Sequence, residues 1–182
     1  MNKFTFMQKI RNKIKIKGSC SLFISPSAKV ISCNISIRGE NNMLTIEEGV
    51  NLRKCHIEIF GDNCSIVIGK NSIIGHDCYL SAKEGKSLSI GEECMLSRNV
   101  KLMTSDGHFI WENNKIINLG KNIFIKNNVW LADNVTILKG VEIGEKSVVG
   151  INSTVTKEIP AHSIVAGNPA KIIKKDIDYW EK

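Results

Sequence analysis

Aliphatic residues recur at every sixth position over the last third of the chain. From Ile125 they open six consecutive hexads, at positions 125, 131, 137, 143, 149 and 155, and the fifth place of each hexad holds a small or β-branched residue. This spacing fits neither the 3.6-residue period of a helix nor the alternation of one long strand. It predicts the short strands of a solenoid, each of which turns a corner before the next begins.

The first half of the chain repeats on a period of 22 residues. Each of four isoleucines is followed six positions later by another aliphatic residue: Ile24, Ile46, Ile68 and Ile90. Twenty-two is three hexads plus four residues, and turn-forming clusters stand at 39–41, 61–63 and 84–86, so we predict three-sided coils with a small extra loop on one edge. About six coils, starting near residues 24, 46, 68, 90, 125 and 143, would stack to roughly 29 Å at ~4.8 Å per rung.

One coil is interrupted by a long insertion. After Leu102 the next hexad opens only at Ile125, so about seventeen residues beyond one hexad project from the stack. Long loops on a rigid scaffold commonly carry function. This loop, which we place at 103–122, contains His108, and a neutral imidazole accepts a proton near neutral pH. From the residue alone, His108 fits either a general base or a solvated loop side chain.

Three stretches of the chain carry a family resemblance: TSDGH in the loop, NNVWLADNVTILKGVEIG, and VTKEIPAHSIVAGNPAKII near the end. With the hexads, they resemble the hexapeptide-repeat acyltransferases over roughly residues 20–175, and are most similar to the sugar and polysaccharide O-acetyltransferases. The resemblance implies an all-β fold, a left-handed parallel β-helix with a projecting loop and short terminal helices. It also implies a homotrimer with active sites between subunits, acetyl-CoA as co-substrate, a sugar or glycan acceptor and no metal.

The resemblance also implies roles for single residues. His108 would be the catalytic base, Trp130 would lie beside the thioester and the acceptor, and the main-chain N–H of Asp133 would stabilise a tetrahedral oxyanion. Asp133 departs from the small residue that the family has there. Asp77 is a weak match to an acceptor-binding position, and Asp106 fits either an orienting partner of the imidazole or a turn residue. The positions implied to follow the pantetheine arm and the phosphates of CoA are Ile151, Thr156, Lys157, Lys171 and Lys174.

The positive charge of the chain is concentrated at its N-terminus. The net charge is +7, from 25 Lys and Arg against 18 Asp and Glu, and residues 1–17 hold six cations and no acid. Subtracting that +6 leaves residues 18–182 at +1, so we expect no nucleic-acid-binding face on the body of the protein. Apolar residues at near-helical spacing accompany the cations: Phe4, Met7, Ile10 and Ile14. The segment 1–20 therefore predicts a basic helix that either caps the solenoid or lies on an anionic membrane surface.

The remaining features bear on domains and location. The six cysteines have neither CxxC nor metal-ligand spacing, so we expect buried thiols. No apolar run reaches the ~18 residues of a membrane span, and we expect a cytoplasmic protein that residues 1–17 would bring to the inner face of the membrane. We divide the chain into the N-terminal segment 1–20, a β-helix over 21–160 and a C-terminal extension over 161–182, which forms a short helix or a tail.

Three rival functions fit parts of the pattern. An N-acetyltransferase for nucleotide-linked amino sugars would use the same scaffold. A γ-type carbonic anhydrase would need three metal-binding histidines, and only His108 lies in the relevant region. A non-catalytic β-solenoid module would keep a regular flat face, which the long loop interrupts. We therefore expect an acetyl-CoA-dependent O-acetyltransferase acting on a sugar hydroxyl of a bacterial surface polysaccharide, such as capsule or lipopolysaccharide, or of its precursor.

Overall fold

A computed structural model describes residues 4–181, which form a three-sided β-solenoid. Each coil contributes one strand to each of three sheets, called A, B and C here, and all neighbouring strands within the stack are parallel. The strands alternate between inward side chains, which are buried, and outward side chains. The core is therefore one column of aliphatic residues that runs through the whole stack.

The bounds of the strands follow from this winding. Sheet A contains β1 (Lys13–Lys17), β4 (Asn34–Arg38), β7 (His56–Phe60), β10 (Tyr79–Lys83), β13 (Lys101–Met103), β18 (Thr136–Ile137) and β21 (Thr154–Val155). Sheet B contains β2 (Cys20–Ile24), β5 (Asn42–Ile46), β8 (Ser65–Ile68), β11 (Ser87–Ile90), β16 (Ile123–Ile125) and β19 (Glu142–Ile143). Sheet C contains β3 (Lys29–Ile31), β6 (Asn51–Arg53), β9 (Ile73–Ile74), β12 (Met95–Leu96), β17 (Trp130–Leu131), β20 (Val148–Val149), β22 (Ile164–Gly167) and β23 (Ala170–Lys174).

The predicted register of the coils is confirmed. The openers at 24, 46, 68, 90, 125 and 143 are direct register partners on sheet B. Each of these isoleucines is at most 2% exposed. The predicted turn clusters at 39–41, 61–63 and 84–86 follow the long strands of sheet A. The 22-residue period of the apolar residues is therefore the number of residues in one coil.

The coils stack so closely that some corners exclude a side chain. At Gly75 a Cβ atom would lie 2.4 Å from the carbonyl oxygen of Ser97 on the next coil. Real Cβ atoms do not approach a backbone atom so closely, and neither coil can move without breaking its hydrogen bonds. Glycine is required here by the neighbouring backbone.

The N-terminal helix packs on the stack through polar side chains. Helix α1 (Phe6–Arg11) begins with a capping box between Thr5 and Gln8. The Gln8 amide donates to the carbonyl of Ala28 at 3.2 Å, whereas Met7 and Ile10 are 51% and 64% exposed. Of the four apolar residues predicted on this face, Phe4 is buried in the core and Ile14 packs against it, whereas Met7 and Ile10 face outward.

The expected helical segment is shorter than its pattern indicated, because residues 13–17 form β1 and pair in register with β4. The turn between α1 and β1 is held by Asn12, whose amide donates to Val30 at 2.8 Å and accepts from the N–H of Cys33 at 2.7 Å. Three lysines of the basic N-terminal segment thus belong to the solenoid itself.

The C-terminal extension, predicted as a short helix or a tail, contains a strand, β23. Strand β23 runs antiparallel to β22 and extends the edge of sheet C. An open sheet edge presents unpaired N–H and C=O groups, and β23 satisfies those of β22. The described residues after β23 have no regular secondary structure.

The cysteines are reduced and mostly buried, as predicted. All six are free, and only Cys20 is more than slightly exposed. Buried thiols act as weak donors, as in the contact of Cys78 with the carbonyl of Ser97 at 3.1 Å. No helix within residues 4–181 is long and apolar enough to cross a bilayer.

Replacing Asn42 by Ala should destabilise the stack. The amide of Asn42, which is 1% exposed, binds the carbonyl of Gly61 at 2.8 Å and the N–H of Cys64 at 2.9 Å. Leaving the N–H of Cys64 buried and unpaired, together with the loss of the bond to Gly61, costs about 2 kcal/mol. We expect that loss in the free energy of unfolding, measured by urea denaturation at fixed protein concentration. Asn51→Ala, at a half-exposed position, is the control, and equal losses in both variants would contradict the account.

Candidate active site

Both ends of the projecting loop are fixed to the coil before it. The carboxylate of Glu84 accepts hydrogen bonds from the hydroxyl of Ser105, where the loop leaves the stack, and from the N–H of Gly120 at 2.7 Å, where it returns. Between these points the loop forms a small hairpin of β14 (Trp111–Glu112) and β15 (Lys115–Ile116). Glu84 therefore closes the loop at its base.

A three-residue clamp organises the inside of the loop. The carboxylate of Asp106 accepts from the ammonium of Lys139 and from the amide of Asn118 at 2.9 Å. Lys139 also donates to the carbonyl of Asn118 at 2.6 Å, and the Asn118 amide donates to the carbonyl of His108 at 2.8 Å. The hydrogen bond from Lys139 is the main reason that the pKa of Asp106 lies below its ordinary value.

The clamp fixes the backbone at His108 and leaves its ring free. His108 is exposed, and its imidazole makes no hydrogen bond to any residue within 4–181. Asp106, one of the residues considered as an orienting partner, contacts Lys139 and Asn118 instead of the ring. Both ring nitrogens of His108 can therefore meet a substrate.

Trp130 stands in a cleft on the outer face of sheet C. The cleft has a volume of about 690 Å³. Its floor is an apolar column of register partners: Ile73, Met95, Trp130 and Val148. The indole N–H of Trp130 donates to the hydroxyl of Ser97 at 3.1 Å, and the ring of Trp180 lies 5.8 Å from its centroid.

The carboxylate of Asp133 is neutralised on the rim of this cleft. It accepts from the backbone N–H of Arg98 at 2.8 Å and from the Arg98 guanidinium at 3.1 Å. These bonds hold the pKa of Asp133 below its ordinary value. The family has a small, uncharged residue where this chain has Asp133. The additional negative charge is paired with Arg98 of the same chain.

The backbone N–H of Asp133 is available to a ligand. At equivalent corners of other coils, the corresponding N–H donates to a side chain on the next coil. For example, the N–H of Glu92 donates to the side-chain oxygen of Asn127 at 2.9 Å. On the coil after Asp133 the matching position is Ile151, which has no acceptor and is 59% exposed. Among residues 4–181 the N–H of Asp133 has no partner, so it can donate to a developing oxyanion.

Asp77 lies on the same corner of the solenoid, two coils earlier. It has a left-handed conformation with φ 61°, which it shares with the asparagines that follow it at this corner. Those asparagines form a ladder, with Asn99 bonded to Asn134 and Asn134 to Asn152, both at 2.9 Å. Asp and Asn tolerate this conformation better than other residues with a Cβ atom, and the turn alone explains the residue type at 77.

The predicted site residues fall into separate groups in one chain. Trp130, Asp133 and Ile151 line the cleft at the corner between sheets C and A. His108 projects from the corner between sheets A and B, and Thr156 and Lys157 follow β21 at that same corner. Lys171 and Lys174 lie on β23 at the edge of sheet C. The width of sheet A thus separates the histidine from the tryptophan cleft.

Sequence reasoning missed the residues that support the site. Arg98 and Asp133 are 35 positions apart and Asp106 and Lys139 are 33 apart, because the insertion lengthens the coil between them. The unusual Asp133 was a usable signal for a cation on the preceding coil. Groups of three or more His, Cys, Asp or Glu arranged to hold a metal ion are absent from the part of the chain that the structure describes.

Known proteins show sequence similarity to most of this chain. No protein-family model matches it. A polysialic acid O-acetyltransferase of Neisseria meningitidis is 37% identical over 127 residues, which are 69% of this chain and 58% of that protein. A polysialic acid O-acetyltransferase of Escherichia coli O1:K1 is 38% identical over 114 residues, or 62% of this chain and 37% of that protein. The matched region therefore spans roughly half the length of these relatives.

Solved structures show the same architecture. The polySia-specific acetyltransferase NeuO is 33% identical, with a TM-score of 0.77 over 96% of this chain and 90% of that one. The polysialic acid O-acetyltransferase OatWY is 27% identical, with a TM-score of 0.74 over 93% and 91%. The shared fold is the left-handed parallel β-helix that the sequence implied. The chain belongs to the family of hexapeptide-repeat sugar O-acetyltransferases that contains these enzymes.

Proposed function

We propose that this protein transfers an acetyl group from acetyl-CoA to a hydroxyl of an anionic bacterial surface polysaccharide, with His108 as the general base. The observation that carries the proposal is the free, exposed imidazole of His108 on a loop whose backbone is fixed by Asp106, Asn118 and Lys139. A positioned base with an unoccupied ring is what proton removal requires. The names of the relatives supply the class of acceptor.

The reaction uses two groups of this chain. His108 removes the proton of a sugar hydroxyl while that oxygen attacks the carbonyl carbon of the thioester. The negative charge that forms on the carbonyl oxygen is stabilised by the free N–H of Asp133. When the carbon–sulfur bond breaks, the protonated His108 returns the proton to the departing thiolate, which leaves an O-acetyl sugar and free CoA.

The cleft beside Trp130 suits the pantetheine arm of acetyl-CoA, which supplies the activated acetyl group. Its apolar floor matches the methylene chain of the arm, and the ion pair of Arg98 with Asp133 removes a charge that would repel the CoA phosphates. A second concavity, of about 450 Å³, is lined by Glu142, Glu145 and Glu158, which makes it unsuitable for an anionic co-substrate. The contacts of Thr156, Lys157, Lys171 and Lys174 with CoA stay predictions.

A homotrimer would bring the two halves of the site together. Five large apolar side chains of the loop are 51–63% exposed: Phe109, Ile110, Trp111, Ile117 and Leu119. Apolar patches of this kind mark contact surfaces. A loop that leaves one copy between sheets A and B can cover the sheet C cleft of the next copy, so that His108 meets a thioester held beside the partner's Trp130.

The location of the protein stays a prediction. The exposed Met7 and Ile10, together with the cations of α1, support a peripheral contact with the inner membrane face through residues 1–17. Residues 1–3 lie outside the described part of the chain. The expected cytoplasmic location is likewise untested.

Replacing His108 by Ala should abolish most acetyl transfer. Loss of a general base lowers kcat by about 10²- to 10⁴-fold, whereas binding of acetyl-CoA, measured by calorimetry, should be unchanged. The assay follows acetyl transfer to polysialic acid by mass spectrometry, and His76→Ala, another exposed histidine, is the control. Unchanged kcat in His108→Ala would contradict the proposal, and transfer by the unmodified protein to amino sugars alone would favour an N-acetyltransferase.

Replacing Lys139 by Met should loosen the loop without unfolding the stack. The lysine side chain is largely buried and bonds two loop residues, so its loss should raise amide hydrogen exchange at residues 106–119 about tenfold. The pKa of Asp106 is lowered, so its carboxylate is charged at neutral pH and the clamp is intact there. As the pH falls through that lowered pKa, Asp106 is protonated and the stability that the clamp contributes is lost.

Lys121→Met, at an exposed position where the loop rejoins the stack, is the matched control for Lys139→Met. We expect exchange in the strands of sheet B to be the same in both variants. Loop protection in Lys139→Met equal to that of the unmodified protein would show that the clamp does not order the loop.

A further inference from the structure

The outer faces of the solenoid differ in how their charge is arranged, and sheet A carries cations on neighbouring strands. Outward positions on the parallel strands of sheet A hold six cations and one acid, a net +5: Lys13, Lys15, Lys17, Arg38, Lys83, Lys101 and Glu58. The corresponding positions of sheet C hold Lys29 and Arg53 at one end, and its antiparallel edge strand β23 adds the exposed Lys171 and Lys174 at the other end. Those of sheet B hold only Glu142. We expected a nearly neutral body, but the pairing of β1 with β4 places the N-terminal lysines on this one face, called the sheet A face below.

The register aligns part of this charge into a row. Lys17, Arg38, Phe60 and Lys83 are successive register partners on four neighbouring strands. The guanidinium of Arg38 lies 4.9 Å from the centroid of the Phe60 ring, and the ammonium of Lys83 lies 5.5 Å from it. Cations held beside an aromatic ring keep a defined position at a modest cost in desolvation. The row therefore places one flat apolar ring, that of Phe60, between cations.

The single acid of the face is turned toward its neighbours. The carboxylate of Glu58 accepts from the phenol of Tyr79 and pairs with Lys83 at 2.9 Å. Its side chain is 18% exposed, whereas Lys15, Lys17 and Arg38 are exposed. Burial raises the pKa of Glu58, but the bonds from Tyr79 and Lys83 outweigh it and the net pKa lies below the ordinary value. A ligand approaching the face meets cations first.

The row leads to the base of the projecting loop. Lys83 is followed directly by Glu84, which binds both ends of that loop, and the N–H of Lys83 donates to the hydroxyl of Thr104 at 2.9 Å. The five strands from β1 to β13 extend about 19 Å along the stack at ~4.8 Å per strand. A polymer lying along the sheet A face would thus reach the loop that carries His108.

We propose that the sheet A face binds an anionic polysaccharide along the axis of the stack and presents one of its hydroxyls to the loop. The cations pair with carboxylates of the polymer, for which the planar guanidinium of Arg38 is suited, and the ring of Phe60 packs on the apolar side of a sugar. The link to catalysis and the choice of a carbohydrate rest on the proposed function, whereas binding of a polyanion to the face does not. A carbohydrate is favoured over a nucleic acid because the sheet A face ends at the loop of His108, the proposed general base, whose chemistry suits a sugar hydroxyl.

The test measures binding of end-labelled polysialic acid by fluorescence anisotropy at several salt concentrations. Lys17→Gln/Arg38→Gln removes two exposed cations from neighbouring strands of sheet A, and Lys29→Gln/Arg53→Gln removes two from neighbouring strands of sheet C. We expect the sheet A variant to lose about tenfold in affinity at low salt and to depend less on salt, while the sheet C variant keeps its affinity within about twofold.

Several outcomes would overturn the proposal. These are equal losses in the two double variants, equally tight binding of carboxyl-reduced polysialic acid, absence of binding to the unmodified protein, or tighter binding of duplex DNA of equal charge to the same face. Melting temperatures of the two variants should match, which separates a binding defect from unfolding.

Kinetics separate this proposal from the proposed function. With a sialic acid monomer as acceptor, Lys17→Gln/Arg38→Gln should keep the kcat of the unmodified protein, and with the polymer its KM should rise about tenfold. Polymer binding without any acetyl transfer would refute the proposed function and leave the sheet A face standing. Acetyl transfer with an unchanged polymer KM in this variant would refute binding to the sheet A face and leave the proposed function intact.

Discussion

Hydrogen bonding between successive coils is the constraint on which the rest of this structure depends. Within the stack, strands of successive coils pair in parallel register, so the coils cannot shift without breaking pairs on three faces. The spacing of ~4.8 Å forces the inward side chains into continuous aliphatic columns. It also brings corners into backbone contact, which excludes a Cβ atom at Gly75. Stability is therefore shared between the core columns and corner residues such as Asn42, which joins adjacent coils.

The same constraint determines where chemistry can be added. An insertion within a strand would break register on two neighbouring coils, whereas an insertion at a corner leaves the pairing intact. The loop leaves and re-enters the stack at one corner, where Glu84 binds both ends. The cleft of Trp130 lies on another sheet, where the outward residues are apolar. Because one chain keeps His108 and the cleft apart, the proposed site would be completed by a second copy.

Much of the fold follows from the sequence, because the spacing of inward residues is a direct readout of coil perimeter. Ile24, Ile46 and Ile68 are 22 residues apart and lie in register. The ends were less predictable. The spacing of Phe4, Met7, Ile10 and Ile14 indicated one packed apolar face. Only Phe4 and Ile14 pack against the core, and within α1 the contact with the stack is made by Gln8.

For the candidate site, motifs pointed to the residues proposed for the reaction but not to the residues that support them. His108, Trp130 and Asp133 belong to recognisable stretches, whereas Arg98 and Lys139 reach them across the insertion. No local pattern encodes such pairs, because their spacing depends on the length of the loop. The charge of the sheet A face was hidden for a similar reason: it exists only once β1 pairs with β4.

The most direct test of this account is subunit complementation. His108→Ala removes the base and Trp130→Ala disrupts the cleft, so each variant alone should be inactive. If each site takes its loop from one copy and its cleft from the next, random trimers from equal co-expression contain about a quarter of intact sites. We predict that co-expression restores about a quarter of the acetyl transfer of the unmodified protein. Inactive mixtures at every ratio of the two variants would contradict the shared site.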